Sequence, residues 1–373
     1  MKKTWRTKLK LHKCIFVGLF VFPFLVNGQS NSGFLLDGKA VIGSHALGAD
    51  MLQNNLYGID VSWQKDISQK EDAWRKLSNA QSSGLSFVFR NLNKGYQDTS
   101  VNSLGQSYGL AAQIEFRLFK LGNTSVSFTP AMGLGYITKT YFTDHRNRVI
   151  GSHLNQLIKA DLNAVIPLST NMNLLAGAGF LHYSNGGFQI PNGGLNTLNL
   201  FTGLRFGKSW VKPNISQSKY RPIRKNSIEV AAGIGRRGIY QQRNGLYKSG
   251  MYGGYNYYIN DLLRAKAGID AVYYYTPFNP DPEKALQTFQ YYGTSYSRWR
   301  AGISIGPEIN LGRFGVNAQV GKYIYYNRYH QEINWYWTAT FTYALTPHMG
   351  VQGRTYFHKA QADFINYGLC FKI

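Results

Sequence analysis

Cysteine is nearly absent from this 373-residue chain, which holds two, Cys14 and Cys370. Cys14 falls in an N-terminal segment that reads as removable, so an intrachain disulfide is excluded from the mature protein. No CxxC, HExxH or phosphate-cradling glycine loop occurs, and the 8 histidines are scattered without a close pair at metal-ligand spacing. No metal, nucleotide or other cofactor is expected. Acidic residues are scarce as well, 18 against 41 Lys and Arg, for a net charge of +23. Also missing is an apolar run of the roughly 20 residues that a transmembrane helix needs.

Residues 1–28 read as a secretory signal peptide. Lys2, Lys3, Arg6, Lys8, Lys10 and Lys13 form a basic head, Cys14 to Val26 an apolar stretch, and Val26-Asn27-Gly28 a small-residue exit. The mature chain is expected to begin near Gln29 with a net charge of about +17. For an exported chain, that excess points to a surface coated with phosphorylated lipid and away from nucleic acid.

What the chain does contain is glycine, 40 residues, and aromatics, 15%, at a mean hydropathy of −0.28. Segments of about 10 residues alternate apolar with small or polar positions, as expected where one strand face meets lipid and the other a polar lumen. Leu110, Ala112, Ile114, Phe116 and Leu118 share one face of such a segment, and Gln113, Glu115 and Arg117 the other. Glu115 and Arg117 read as an internal ion pair. The last segment alternates in the same way, Ile365, Tyr367, Leu369, Phe371 and Ile373 against Asn366, Gly368, Cys370 and Lys372.

Eight such segments lie near 34–46, 54–66, 82–92, 107–119, 124–137, 156–168, 172–184 and 196–207. Eight more lie near 227–237, 250–258, 263–275, 295–308, 313–325, 332–344, 348–358 and 363–373. The expected fold is all-β, an outer-membrane antiparallel barrel. Two tandem eight-stranded barrels and one of 16 strands both leave no edge exposed to hydrocarbon. The basic, Pro-containing connector 208–225 favours two: a domain over 29–207 and a second over 226–373, read as non-catalytic. Connections after even strands are mostly short, which makes them periplasmic. The exception is 67–81, with Glu71-Asp72-Ala73-Trp74-Arg75-Lys76.

His182 and Ser184 stand two apart near the end of the seventh segment, followed by Asn185-Gly186-Gly187 and Pro191-Asn192-Gly193-Gly194. Residues i and i+2 of a strand share a face, so an imidazole base lies beside a hydroxyl that it can activate. Met172, Leu174, Ala176, Ala178 and Phe180 share their parity, which puts the pair on the lipid-facing stripe at the outer end. A site opening sideways into the outer leaflet suits a lipid ester. Thr346 to His358 has the same length as Thr170 to His182, but parity turns His358 toward the lumen with Gln352 and Arg354, and position 360 is Ala.

Residues 34–207 resemble the lipid A 3-O-deacylase family (PagL type, also called acyloxyacyl hydrolase). The likeness rests on His182-Tyr183-Ser184-Asn185, on Pro191-Asn192 at matching separation, on the strand Leu198 to Phe206 and on the strand count. It implies hydrolysis of the ester-linked acyl chain at position 3 of lipid A, with no cofactor. Ser184 matches the nucleophile and His182 the base. Asn185, Gly187 and Asn192 match positions that form or support the oxyanion hole. The third triad position departs from the pattern: the family has a glutamate where this chain has Asn196, which can orient the imidazole without stabilising its charge.

The expected partners are lipid A or lipopolysaccharide and the membrane, not nucleic acid, with a homodimer or an intramolecular pairing of barrels open. Arg236, Arg237 and Arg243 are candidates for lipid A phosphates. Tyr255, Tyr257, Tyr258, Tyr273, Tyr274, Tyr275, Tyr323, Tyr325 and Tyr326 read as interfacial girdles. The competing readings are a non-enzymatic pore or surface-binding barrel, marked by one wide lumen of 16 strands, and an outer-membrane phospholipase.

Overall fold

The computed structural model describes residues 33–45, 55–68, 72–93, 104–207, 221–275, 298–325, 334–359 and 361–373. The signal-peptide segment, the connector up to residue 220, Tyr326 and the expected outward loop 276–294 lie outside the described residues.

Sixteen strands form two closed antiparallel barrels. The first comprises β1 (Phe34–His45), β2 (Asn55–Asp66), β3 (Ala80–Asn91), β4 (Gln106–Leu121), β5 (Thr124–Ile137), β6 (Leu154–Ser169), β7 (Met172–Ser184) and β8 (Leu195–Phe206). It closes by pairing β1 with β8. The second comprises β9 (Ser227–Gly238), β10 (Gly245–Tyr258), β11 (Leu263–Tyr274), β12 (Trp299–Leu311), β13 (Phe314–Tyr325), β14 (Trp335–Ala344), β15 (Met349–His358) and β16 (Gln361–Lys372). It closes through β9, which pairs with both β10 and β16. The alternative of a single 16-stranded barrel is thereby excluded.

Burial alternates along the strands as the sequence pattern requires. Outward positions such as Ile59, Leu110, Leu134, Leu200, Ile269, Ile305 and Leu369 are exposed large apolar side chains. A band of this extent is untenable in water and matches hydrocarbon.

The lumens are filled. In the first barrel Arg90 and Lys159 hold Asp60, Lys39 and Lys159 hold Asp161, and Arg205 bridges Asp37 and Glu115. In the second, Lys266 joins Glu229 to Glu308, Arg354 pairs with Asp270, and Lys248 with Asp363. Buried charges persist only when paired in this way. Eight strands leave room for side chains and not for an aqueous channel, so the wide-lumen pore has no structural basis here. The lumen pairing also corrects one expectation: Glu115 meets Arg205 across the barrel, not Arg117 of its own strand, because cross-lumen arms reach where same-face neighbours on one strand point in parallel.

The long segment after β2 contains a short helix, α1 (Ala73–Ser78), with Arg75 paired to Asp72. Trp74 is buried with Ile67 and Ala80, and Leu311 of β12 packs against the same cluster. Gly312 has a φ of 72°, and a Cβ there would lie 3.2 Å from Trp74 Nε1. The segment is long because it anchors the first barrel to the second at the end bearing the short turns. The barrels meet again at the opposite end, where the longer connections lie.

Aromatics of the second half divide between two roles. Tyr255, Tyr257, Tyr275 and Tyr325 are exposed, in keeping with girdles, whereas Tyr274 and Tyr323 are buried with Tyr336, Tyr356 and Phe364. Strand parity separates them, since consecutive tyrosines face opposite sides.

Candidate active site

β7 carries His182 and Ser184 on its outward face, while Leu181 and Tyr183 between and beside them are buried in the first barrel. His182 lies opposite Asn196 of β8, and Ser184 opposite Gln156 of β6. His182 Nδ1 is 2.6 Å from Asn196 Oδ1. The amide oxygen can only accept, so Nδ1 carries the proton and Nε2 keeps its lone pair. Phe180 stacks on the imidazole, the ring centroids 6.5 Å apart. Gly194 (φ 75°) also lies against the ring, where a Cβ would come 3.0 Å from His182 Cε1.

Residues 185–194 turn the chain from β7 to β8. Gly186 (φ 60°) and Gly187 (φ 87°) take the left-handed conformation, which only glycine adopts freely. The turn brings the Gly186 N–H to 3.1 Å from Ser184 Oγ. From the far side of the loop Asn192 Nδ2 donates to the same oxygen at 3.0 Å. Two donors therefore converge on the serine oxygen.

Asn185 does different work. Its N–H goes to Asn192 Oδ1 at 3.2 Å, its Oδ1 accepts from the Gly187 and Gln189 N–H groups, and its Nδ2 donates to Ser152 Oγ and Gln189 O. It staples the loop and orients Asn192. The Gly187 N–H is likewise committed to Asn185. Of the three residues expected around an oxyanion, Asn192 points a donor at the serine, while Asn185 and Gly187 hold the loop in shape.

Sequence reasoning missed Gly186 as a backbone donor, although the Gly186-Gly187 pair marks the turn. It also missed Ser152, Gly194 and Gln156, which only the strand register brings to the site. His182 and Ser184 share a face, and no hydrogen bond joins them among the described residues.

The structure separates the three candidate arginines. Arg237 is buried in the second barrel, bonded to the Ala362 and Asp363 carbonyls, so it is removed from any headgroup site. Arg236 lies over the Phe188 ring at 4.7 Å and donates to the Arg243 carbonyl, and Arg243 lies over Phe142 at 5.3 Å. His358 is buried in the second lumen, 2.7 Å from Tyr323 Oη. Among the described residues no group of three His, Cys, Asp or Glu side chains is placed to hold a metal ion.

Fold and site together define a membrane β-barrel protein with a serine–histidine pair on its outward wall. Residues 57–205 match the family model for lipid A 3-O-deacylase (PagL), and residues 226–373 that for the acyloxyacyl hydrolase C-terminal domain. The chain belongs to this PagL family of lipid A deacylases, its first barrel matching the deacylase model and its second the C-terminal domain model. No curated protein sequence matches it. Among solved structures, it is similar to the outer membrane enzyme PagL (17% identity, 45% of this chain and 97% of that one, TM-score 0.32). It is similar also to Neisserial surface protein A, NspA (12% identity, 47% and 97% covered, TM-score 0.32).

Proposed function

We propose that the protein is a cofactor-independent serine esterase of the outer membrane that hydrolyses the acyl chain ester-linked at position 3 of lipid A. The observation that carries the reading is the outward-facing Ser184 Oγ, met by two donors, with His182 beside it in the tautomer that leaves Nε2 basic.

Ser184 Oγ attacks the ester carbonyl carbon as its proton passes to His182 Nε2. The carbonyl oxygen becomes an oxyanion and takes the hydrogen bonds of Gly186 N–H and Asn192 Nδ2, donors already converged beside the nucleophile. Collapse breaks the ester C–O bond, His182 gives its proton to the leaving sugar oxygen, and the acyl chain remains on Ser184. Water then attacks with His182 again as base, releasing the fatty acid and restoring the serine hydroxyl. Serine–histidine hydrogen bonds are often long before substrate binds and tighten in the Michaelis complex.

The outward face supports a substrate that arrives by lateral diffusion within the leaflet. The short turns gather at one end of the barrel, which supports taking the long-connection end, and the pair near it, as the outer one. Asn196 orients the imidazole but adds no negative charge. Replacing a triad acid by its amide lowers turnover by about 10,000-fold in a serine protease, so this site is expected to be slow for a triad enzyme.

The test is mass spectrometry of lipid A from a Gram-negative host expressing the intact chain, beside one expressing Ser184→Ala at equal membrane abundance. Loss of one hydroxyacyl mass only with the intact serine is the expected result. Unchanged lipid A in both, with phospholipids cleaved, replaces the reading by a phospholipase. No lipid change in either leaves a surface barrel without enzymatic activity.

A further inference from the structure

Ile365 occupies an outward position on β16, in register with Tyr367, Leu369 and Phe371, yet it is 5% exposed where Tyr367 is 54% and Leu369 45%. What covers it is the site loop of the first barrel. A Cβ on Gly186 would lie 2.2 Å from Ile365 Cδ1 and Cγ1, so this side chain presses directly against the Gly186 Cα. Gly186 is the residue whose N–H reaches Ser184 Oγ.

The contact continues on both sides. The Gly238 N–H donates to the Gly187 carbonyl at 2.7 Å, and the Gln241 N–H to the Ile190 carbonyl at 3.2 Å. A Cβ on Gly187 would fall 2.7 Å from the Asp363 carbonyl. Ile190 and Tyr240 form a bridge across the two barrels. Gln156, the strand neighbour of Ser184, lies 3.5 Å from Tyr367 Oη.

The buttress is itself stiff. Arg237, buried in the second lumen, donates to the Ala362 and Asp363 carbonyls at 2.9 Å each. The Asp363 carboxylate accepts from Lys248 at 2.6 Å. A paired, buried charge cluster thus fixes the backbone of 362–363, two residues from Ile365.

We propose that Ile365 is a positioning residue for the esterase site, through which the second barrel holds the Gly186 peptide in the geometry that serves the oxyanion. The inference rests on the esterase reading above. A loop of four glycines in ten residues, Gly186, Gly187, Gly193 and Gly194, loses much conformational freedom on ordering, and an external wall supplies the order that its own side chains cannot. The C-terminal domain, which among the described residues shows no outward His–Ser pair, then has a function in the reaction without touching substrate.

The test uses the full chain in detergent micelles and a fluorophosphonate bearing a short alkyl chain, whose fluoride is displaced by an activated serine oxygen. Labelling is mapped to Ser184 by peptide mass spectrometry and its rate followed with probe concentration. Ile365→Ala is expected to lower the maximal labelling rate about 10- to 100-fold, the effect of misplacing a reacting group by a fraction of an ångström to an ångström. The half-saturating probe concentration stays unchanged. Ile365→Val, which removes one methyl group, falls between at about 3-fold. Leu369→Ala, on the same strand face but against lipid, leaves the rate within about 2-fold of the parent. Circular dichroism checks each barrel fold.

Equal labelling rates in the parent and in folded Ile365→Ala overturn the inference and leave the esterase reading standing. If Ile365→Ala does not fold, equal rates in the parent and Ile365→Val overturn it. Absence of Ser184 labelling in the parent removes the nucleophile, and with it both readings.

Discussion

The two barrels are built alike, eight antiparallel strands around a lumen of paired charges, and each carries a histidine at or near the end of its seventh strand. His182 of β7 faces outward against Asn196, while His358 of β15 faces inward against Tyr323 and lies 4.0 Å from Asp363. One step of strand parity separates an imidazole that can meet a lipid ester from one sealed in a core. The second barrel retains the architecture of the first and applies it to packing. Its inward histidine belongs to the cluster that stiffens residues 362–363, and those residues lie against the loop of the outward one. On the proposed reading, chemistry is concentrated in one barrel and rigidity is shared by both.

That division can be broken at several points, with graded consequences. His182→Ala removes the base, and general-base loss lowers ester hydrolysis by about 100- to 10,000-fold; the fatty acid released from lipid A in mixed micelles measures it. Asn192→Ala deletes one of the two donors at Ser184 and is expected to cost about 100- to 1,000-fold in kcat with little change in KM. A kcat retained within a factor of two would show that the oxyanion lies elsewhere. Asn196→Ala removes a neutral hydrogen bond to the imidazole, a loss of about 1.4 kcal/mol or 10-fold in rate. A loss as large as that of His182→Ala would mean that Asn196 does more than orient.

Much of this was legible in the residues. Period-2 alternation marked all sixteen strands and fixed which way His182 and His358 face, because parity is a local property. The connector pointed to two barrels. Partners across a lumen were not legible: Glu115 was expected beside Arg117 and lies against Arg205, since barrel closure brings together residues 90 positions apart. Arg237 was expected at the surface and is buried, because β9 continues through it to Gly238 with inward parity. The grouping of Ser184, His182, Asn196 and Asn192 at the candidate site was legible, but not the backbone donor Gly186. The pattern in β16 marked Ile365 as lipid-facing, and no periodicity could say that another barrel covers it.

The most direct test of the account is to assay His182→Ala and His358→Ala side by side, in the full chain, for release of hydroxy fatty acid from lipid A in mixed micelles. The account predicts that His182→Ala loses nearly all activity, while His358→Ala keeps the catalytic chemistry and loses at most the share that the stiffness of its barrel contributes, about 10-fold or less. Equal, near-complete loss in both folded variants, or full activity in His182→Ala, would contradict it.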